Sequence, residues 1–328
     1  MVNDKKLVVS ASPHIHSDAS SRRIMLDVII ALIPALIASA AIFGPRALAV
    51  AATTIASAVL AEFLARKAMK RPNTIGDLSA VVTGLLLALN LPVSIPLWIA
   101  ALGSVVAIIV VKQFFGGIGQ NFVNPAIAAR IILLVSFPTA MGSWTAPFAW
   151  KTADAVSTAT PLAALAADDA ASLPSLYEMF IGARGGSMGE TCAAALLLGG
   201  IYLLVRKVIS PAIPFTYIGT VAVIALIAGK GDFTYVAYQL MGGGLLLGSF
   251  FMATDYATSP INLKGKLIYG VGCGLLTAVI RLFGSLPEGV SYAILLMNIF
   301  VPLIERATTP KPFGTPKEEK KAKEAAKV

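Results

Sequence analysis

Ten apolar runs, each near the length of a bilayer-spanning helix, occupy most of this chain and decide what it can fold into. They fall at about residues 24–43, 46–65, 75–91, 94–111, 122–138, 191–205, 212–229, 234–253, 266–284 and 288–305. Lipid offers no water to an unpaired peptide group, so such runs fold as helices that satisfy their own backbones. Apolar residues make up 57% of the chain and charged residues 13%, against about 25% charged in a soluble domain. The mean hydropathy is +0.80. The expectation is an all-α integral membrane protein with about ten transmembrane helices. The run at 75–91 is short and need not cross alone. Pro34, Pro96 and Pro125, within or at the ends of runs, predict kinks or broken helices. The first run starts at Ile24 and is too long for the core of a cleaved signal peptide. Arg22 and Arg23 read as its basic flank rather than as a twin-arginine signal.

The net charge is +9, which in a soluble chain would suggest nucleic acid. Here it follows from membrane orientation. With the N-terminus in the cytoplasm, 20 Lys and Arg lie inside, among them Lys112 and the tail from Arg306 onward. Only Arg46, Lys151, Arg184 and Lys230 lie outside, and Arg130 and Arg281 lie within runs. That asymmetry sets the orientation and leaves no charge that requires nucleic acid. Five parts follow: a cytoplasmic segment 1–23, a first five-helix unit 24–138, an extracytoplasmic loop 139–190, a second five-helix unit 191–305, and a cytoplasmic basic tail 306–328. The tail KPFGTPKEEKKAKEAAKV reads as a solvated end; a cytoplasmic partner or anionic lipid is the alternative.

The two units carry related segments, KQFFGGIGQNFVNPA at 112–126 and GGGLLLGSFFMATDYATSP at 242–260. Each has glycines, aromatics and then polar residues ending in Pro125 or Pro260. Aligning the prolines sets Asn124 against Ser259, Asn121 against Tyr256 and Gln120 against Asp255. An odd number of spans per unit turns the second upside down, the arrangement of inverted-repeat transporters, in which broken helices line a central site. Tight-packing glycines and polar caps explain the segments equally well. A charge at mid-membrane costs about 2.5–3.5 kcal/mol, so Asp255 and Arg130 are the charges to watch. Asp27, Glu62 and Arg281 read as structural. Cys192 and Cys273 are too few for a four-thiolate cluster and read as small buried hydrophobes, the alternative being a metal site shared with another subunit.

The loop 139–190 holds DAVSTATPLA at 154–163. On its residues alone, this Ser/Thr cluster is an ordinary loop or a place of attachment. SPHIHS (12–17), FFGGIGQNFVNPA (114–126), DAVSTAT (154–160), FFMATDYATSP (250–260) and EGVSYAILLMN (288–298) occur in one order. Together they resemble the D subunits of Rnf electron-transport complexes and the homologous B subunits of sodium-pumping NADH:quinone reductases. The first run beginning at Ile24 favours the Rnf side of that likeness.

The resemblance implies FMN joined through a phosphoester to Thr160. Asp154, Ser157, Thr158 and Ala159 fill the rest of the flavinylation motif, Thr158 standing where another small residue is usual. A threonine hydroxyl is a poor nucleophile, and in this family a separate flavin transferase activates the transfer. The target should be exposed and extended, and Pro161 biases Thr160 away from helix. The resemblance also implies a second, non-covalent flavin, riboflavin for instance. Asn121 and Asn124 are its candidate contacts, and Asp255 is a candidate for ion coupling. No metal ligand set is expected.

The implied function is a flavin-carrying subunit of an ion-translocating ferredoxin:NAD⁺ oxidoreductase in a bacterial or archaeal inner membrane, coupled to Na⁺ or H⁺. The chain lacks a dinucleotide glycine fingerprint. NAD⁺, ferredoxin and iron–sulfur clusters therefore fall to partners: a flavin-bearing G-type subunit, iron–sulfur subunits and further membrane subunits. The alternatives are a quinone-reductase B-type subunit, an inverted-repeat solute channel or transporter, and a simple membrane anchor.

Overall fold

The computed structural model describes residues 20–151, 158–167, 173–284 and 289–310. Among them no strand forms. Helix α1 (Ser21–Phe43) is capped by Ser20, whose hydroxyl accepts from Arg23 N. Helix α2 (Pro45–Ala68) follows at once. A 3₁₀ turn at Ile75–Asp77 leads into α3 (Ser79–Leu89). Helix α4 (Leu97–Val105) continues as a π-helical stretch, Val106–Gln113, and α5 (Pro125–Ser136) ends the first unit. The loop region holds only short helices, α6 (Pro138–Met141), α7 (Pro161–Ala166) and α8 (Leu176–Ile181). The second unit comprises α9 (Ala193–Val205), α10 (Ala212–Ala228), α11 (Phe233–Met241), α12 (Leu245–Leu247), α13 (Leu263–Phe283) and α14 (Val290–Thr308). A π-helical stretch, Gly248–Met252, extends α12.

Each of the ten apolar runs meets an apolar helix, but length separates them. Helices α1, α2, α13 and α14 are long and apolar enough to cross a membrane. A fifth span results if α11 and Leu245–Met252 are taken together, and these are bent by 62°. The other five runs form shorter apolar helices of 10–17 residues. Large apolar side chains also point outward, among them Ile37, Leu198 and Ile227. Helix α10 buries Val221 and exposes Val223, so it is apolar all round, as a helix in lipid is.

The prolines act differently from expectation. Pro34 lies inside an unbroken α1. Pro96 caps α4, and Pro125 is the first residue of α5. At a helix start the missing N–H is no loss, because that donor has no intrahelical partner. The break in the second unit falls instead at residues 242–244, where Gly243 and Gly244 adopt φ of 61° and 69°. Arg281 donates to the carbonyls of Gln239 (2.6 Å), Gly242 (3.0 Å) and Gly243 (3.3 Å), the acceptors that the break releases. Buried Arg184 donates to Met241 O and Glu190 O, both at 2.6 Å.

The two halves of the chain pack through direct helix pairs. Helix α1 lies on α9 and α5 on α14. Helix α2 packs on α3 and α4, as α10 packs on α11 and α13. One apolar core runs through both units, from Leu32, Leu87 and Leu89 to Tyr217, Tyr269 and Ile294.

Candidate functional site

Two places gather the residues singled out in the sequence. The first is the segment at Thr160. Asp154 and Ser157 lie outside the described residues. Thr160 is extended (φ −72°, ψ 150°) and caps α7, its Oγ1 accepting from Ala163 N at 3.3 Å. The extended backbone matches expectation; the expected exposure does not hold. Ala159 is exposed, but Thr160 is only 5% exposed. The cause is the apolar helix it caps. Leu162 packs against Gly242 and Gly243 at the helix break, where an added Cβ would lie 2.4–3.0 Å from its side chain. The segment is thereby drawn onto the second unit.

Thr158 lies deeper. Its N–H donates to Trp144 O at 3.0 Å. A Cβ at Gly185 would lie 2.3 Å from its Oγ1, so only glycine admits this approach. Thr158 Oγ1, Ser187 Oγ and Glu190 Oε2 are buried with no hydrogen-bond partner. Buried polar atoms are normally satisfied. Of these, Thr158 Oγ1 belongs to the Thr160 segment itself, and its hydroxyl is free to donate to a polar group attached there.

The second place is a cavity of about 330 Å³ between the units. This lies within the range of small-molecule sites. Asn121, Asn124 and Asp255 all line it, with Ser79, Thr83 and Lys112. Phe250 and Phe251 supply part of its apolar wall. Asn124 is largely committed to structure. Its Oδ1 caps α5, accepting from Ala126 N (3.0 Å) and Ile127 N (3.3 Å), and its Nδ2 donates to Met252 O. One N–H remains for a ligand. Asn121 donates to Val123 O at 3.0 Å. Asp255 is partly buried and accepts from Thr258 Oγ1 at 3.2 Å. An apolar cleft with amide, hydroxyl, ammonium and carboxylate groups suits the edge of a flat heterocycle.

Lys112 is the residue of this cavity that sequence reasoning misses. The charge asymmetry places it among the solvent-facing cytoplasmic lysines, but it is 3% exposed and pairs with Glu62 at 2.8 Å. Glu62 is fully buried. Opposite charges closing two apolar runs are the available signal. Arg130 donates to Asn90 Oδ1 and Ser291 Oγ, binding α5 to both units. Asp27 accepts from Tyr202 and Arg206. Both cysteines are free, Cys273 buried and Cys192 partly so. Among the described residues no cluster of three metal-ligating side chains occurs.

Likeness to known proteins runs through almost the whole chain. It is 49% identical to the D subunit of the Na(+)-translocating ferredoxin:NAD(+) oxidoreductase complex of Acetobacterium woodii, covering 98% of this chain and 100% of the relative. It is 45% identical to the D subunit of the proton-translocating ferredoxin:NAD(+) oxidoreductase complex of Clostridium ljungdahlii, over 94% and 96% of the two chains. It is 36% identical to the D subunit of the ion-translocating oxidoreductase complex of Escherichia coli, over 93% and 98%. Residues 8–314 match the NQR2, RnfD, RnfE family, and the chain belongs to that family.

Proposed function

We propose that this chain is the D-type membrane subunit of an ion-translocating ferredoxin:NAD⁺ oxidoreductase complex. The observation that carries the reading is the end-to-end likeness to subunits of that name, one of them 49% identical. The chain serves as one redox station of the complex, with ferredoxin, NAD⁺ and iron–sulfur chemistry held by the other subunits. One relative is named for Na⁺ and another for H⁺, so either ion is compatible with this architecture.

In this reading Thr160 bears FMN on its Oγ1, attached by a flavin transferase, and a second flavin lies in the cavity. When bound, the flavins supply one- and two-electron chemistry; the protein supplies position and electrostatics. Thr160 presents an extended backbone to the transferase once Leu162 leaves its seat on Gly242 and Gly243. Asn121 and the free N–H of Asn124 would hold polar ring-edge atoms. Asp255 is the candidate for coupling charge movement to the cavity. The matched pairings of α1 with α9 and α5 with α14 support two inverted five-helix units. So do the π-helical stretches that precede each glycine-rich or polar segment. The basic-residue asymmetry supports cytoplasmic termini and an outward Thr160 loop.

The deciding experiment is flavin fluorescence in a denaturing gel after co-expression with a flavin transferase. A fluorescent band in the wild type, lost in Thr160→Ala, is the expected result. A dark wild-type band, with the transferase active on a control protein, would remove the covalent flavin at Thr160 from this reading. A cysteine replacing exposed Ala159 should react with a membrane-impermeant reagent from outside the cell. Reaction only from the cytoplasmic side would overturn the orientation.

A further inference from the structure

A chain of short hydrogen bonds joins the cavity to the protein surface, and holding a ligand does not explain its outer members, Asp77 and Thr74. Lys112 lines the cavity, and its Nζ donates to Ser79 Oγ at 2.6 Å. Ser79 Oγ donates to Asp77 Oδ1 at 2.5 Å. Asp77 belongs to the 3₁₀ turn Ile75–Asp77 and is partly exposed. A second branch reaches the same ammonium. Lys112 Nζ donates to Glu62 Oε2 at 2.8 Å, and partly exposed Thr74 donates to Glu62 Oε1 at 2.6 Å. Both branches thus run from one surface turn through the buried Lys112 to the cavity. Capping of α3 accounts for the bond from Ser79 N to Asp77 Oδ1. It accounts for neither a lysine buried to 3% nor its position on the cavity wall.

We infer that Asp77, Ser79 and Lys112 form a proton relay that delivers redox protons from the surface to the heterocycle in the cavity. This rests on the proposed flavin in that cavity. The electrons come from the complex's own donor; the relay supplies only the proton that a reduced ring nitrogen takes up. One N–H bond of the Lys112 ammonium breaks and one N–H bond forms on the acceptor. The resulting amine takes the Ser79 hydroxyl proton as Ser79 takes one that the Asp77 carboxylate has captured from solution. No net charge stays in the chain after each cycle. The charged groups around Lys112 are Glu62 on α2, Asp77 on the turn and Asp255 across the cavity. Arg66, also on α2, lies against Gly117, a few residues further along the chain. Glu62 keeps the ammonium charged between transfers, because an isolated buried charge is costly. Such a relay carries a scalar proton and is needed whether the coupling ion is Na⁺ or H⁺.

The test uses the complete complex, reduced by pre-reduced ferredoxin, which releases no proton on oxidation, in a stopped-flow instrument with a pH-indicator dye. It compares wild type, Ser79→Ala and Asp77→Asn. Non-covalent flavin is first quantified in each. Absence of that flavin from the wild type defeats the cavity reading and the relay with it. If flavin content is equal, proton uptake should slow at least tenfold in both variants, and the solvent deuterium isotope effect should change. Millimolar formate or azide, small acids that can replace a missing carboxyl, should restore the rate in Asp77→Asn but not when Lys112→Met is added. Uptake at the wild-type rate in both variants would overturn the relay while leaving the flavin in place. Slowing that small acids do not rescue would also overturn it, since it would mark Asp77 as a helix cap alone.

Discussion

The side-chain amide of Asn124 donates to the main-chain carbonyl of Met252 at 3.3 Å, joining the start of α5 to the end of the π-helical stretch in the other unit. The same side chain caps α5 with its oxygen. Replacing it by alanine removes a cap, about 0.5–2 kcal/mol, and leaves the Met252 carbonyl only the long bond from Asp255 N at 3.4 Å. Asn124→Ala should therefore lower the thermal unfolding midpoint in detergent well beyond a surface substitution. Asn124→Ser keeps a capping oxygen, adds no charge and loses the bond to Met252, so it should fall between. A Ser variant as unstable as the Ala variant would show that the link to Met252, not the cap, dominates.

The approach of Thr158 to Gly185 gives a second expectation. A Cβ at Gly185 would sit 2.3 Å from Thr158 Oγ1 and at a comfortable 3.5 Å from Thr158 Cβ. Gly185→Ala should thus lift the Thr160 segment from its seat, with an overpacking penalty of about 1–3 kcal/mol. Thr158→Ala removes the colliding hydroxyl, so the double variant should recover. Protease sensitivity of the 139–190 region reads this out directly. Sensitivity that rises in Gly185→Ala and persists in the double variant would place the strain elsewhere.

Helix positions are legible because each apolar run fixes a helix wherever lipid or core surrounds it. The ends of α9 and α10 lie within about two residues of the corresponding runs. Whether a helix spans is not legible, since α3 and α5 are apolar but short. Asn124-Pro125 suggests a break when only the proline is weighed, yet a capping side chain followed by proline is the signature of a helix start. The cavity has no local signal. It is assembled from α1, α3, residues 112–126 and residues 250–257, a tertiary coincidence. Lys112 stays hidden because a lysine closing an apolar run ordinarily snorkels to water. Thr160 belongs to a polar loop and so is expected in solvent; Leu162 supplies the anchor that buries it.

Arg281 offers a test of the helix break. Its guanidinium serves three carbonyls, those of Gln239, Gly242 and Gly243, that the glycine turn frees from helical bonding. Arg281→Met leaves these acceptors buried, each unpaired group costing about 1–3 kcal/mol. The variant should be strongly destabilised, and amide exchange should rise first in α11 and Leu245–Met252. Arg281→Lys restores at most part, because one ammonium cannot reproduce a planar fork. Full recovery by lysine would mean that charge, not the fork geometry, holds the bend.

The Lys112–Glu62 pair separates stability from proton delivery. Both side chains are buried, so removing one partner strands the other's charge, and such losses run to about 3–5 kcal/mol. Lys112→Met should accordingly lower the unfolding midpoint more than any surface change. Adding Glu62→Gln removes the stranded carboxylate while keeping an acceptor for Thr74, whose hydroxyl donates to Glu62 Oε1. The double variant should regain most of the lost stability, since replacing a buried ion pair by neutral groups of similar size is often close to neutral. It should nevertheless remain unable to load the cavity with protons, because no titrating nitrogen is left at its wall. Unfolding and proton uptake measured on the same preparation read the two effects apart. A double variant as unstable as Lys112→Met would show that Lys112 stabilises through packing and Ser79 rather than through its charge.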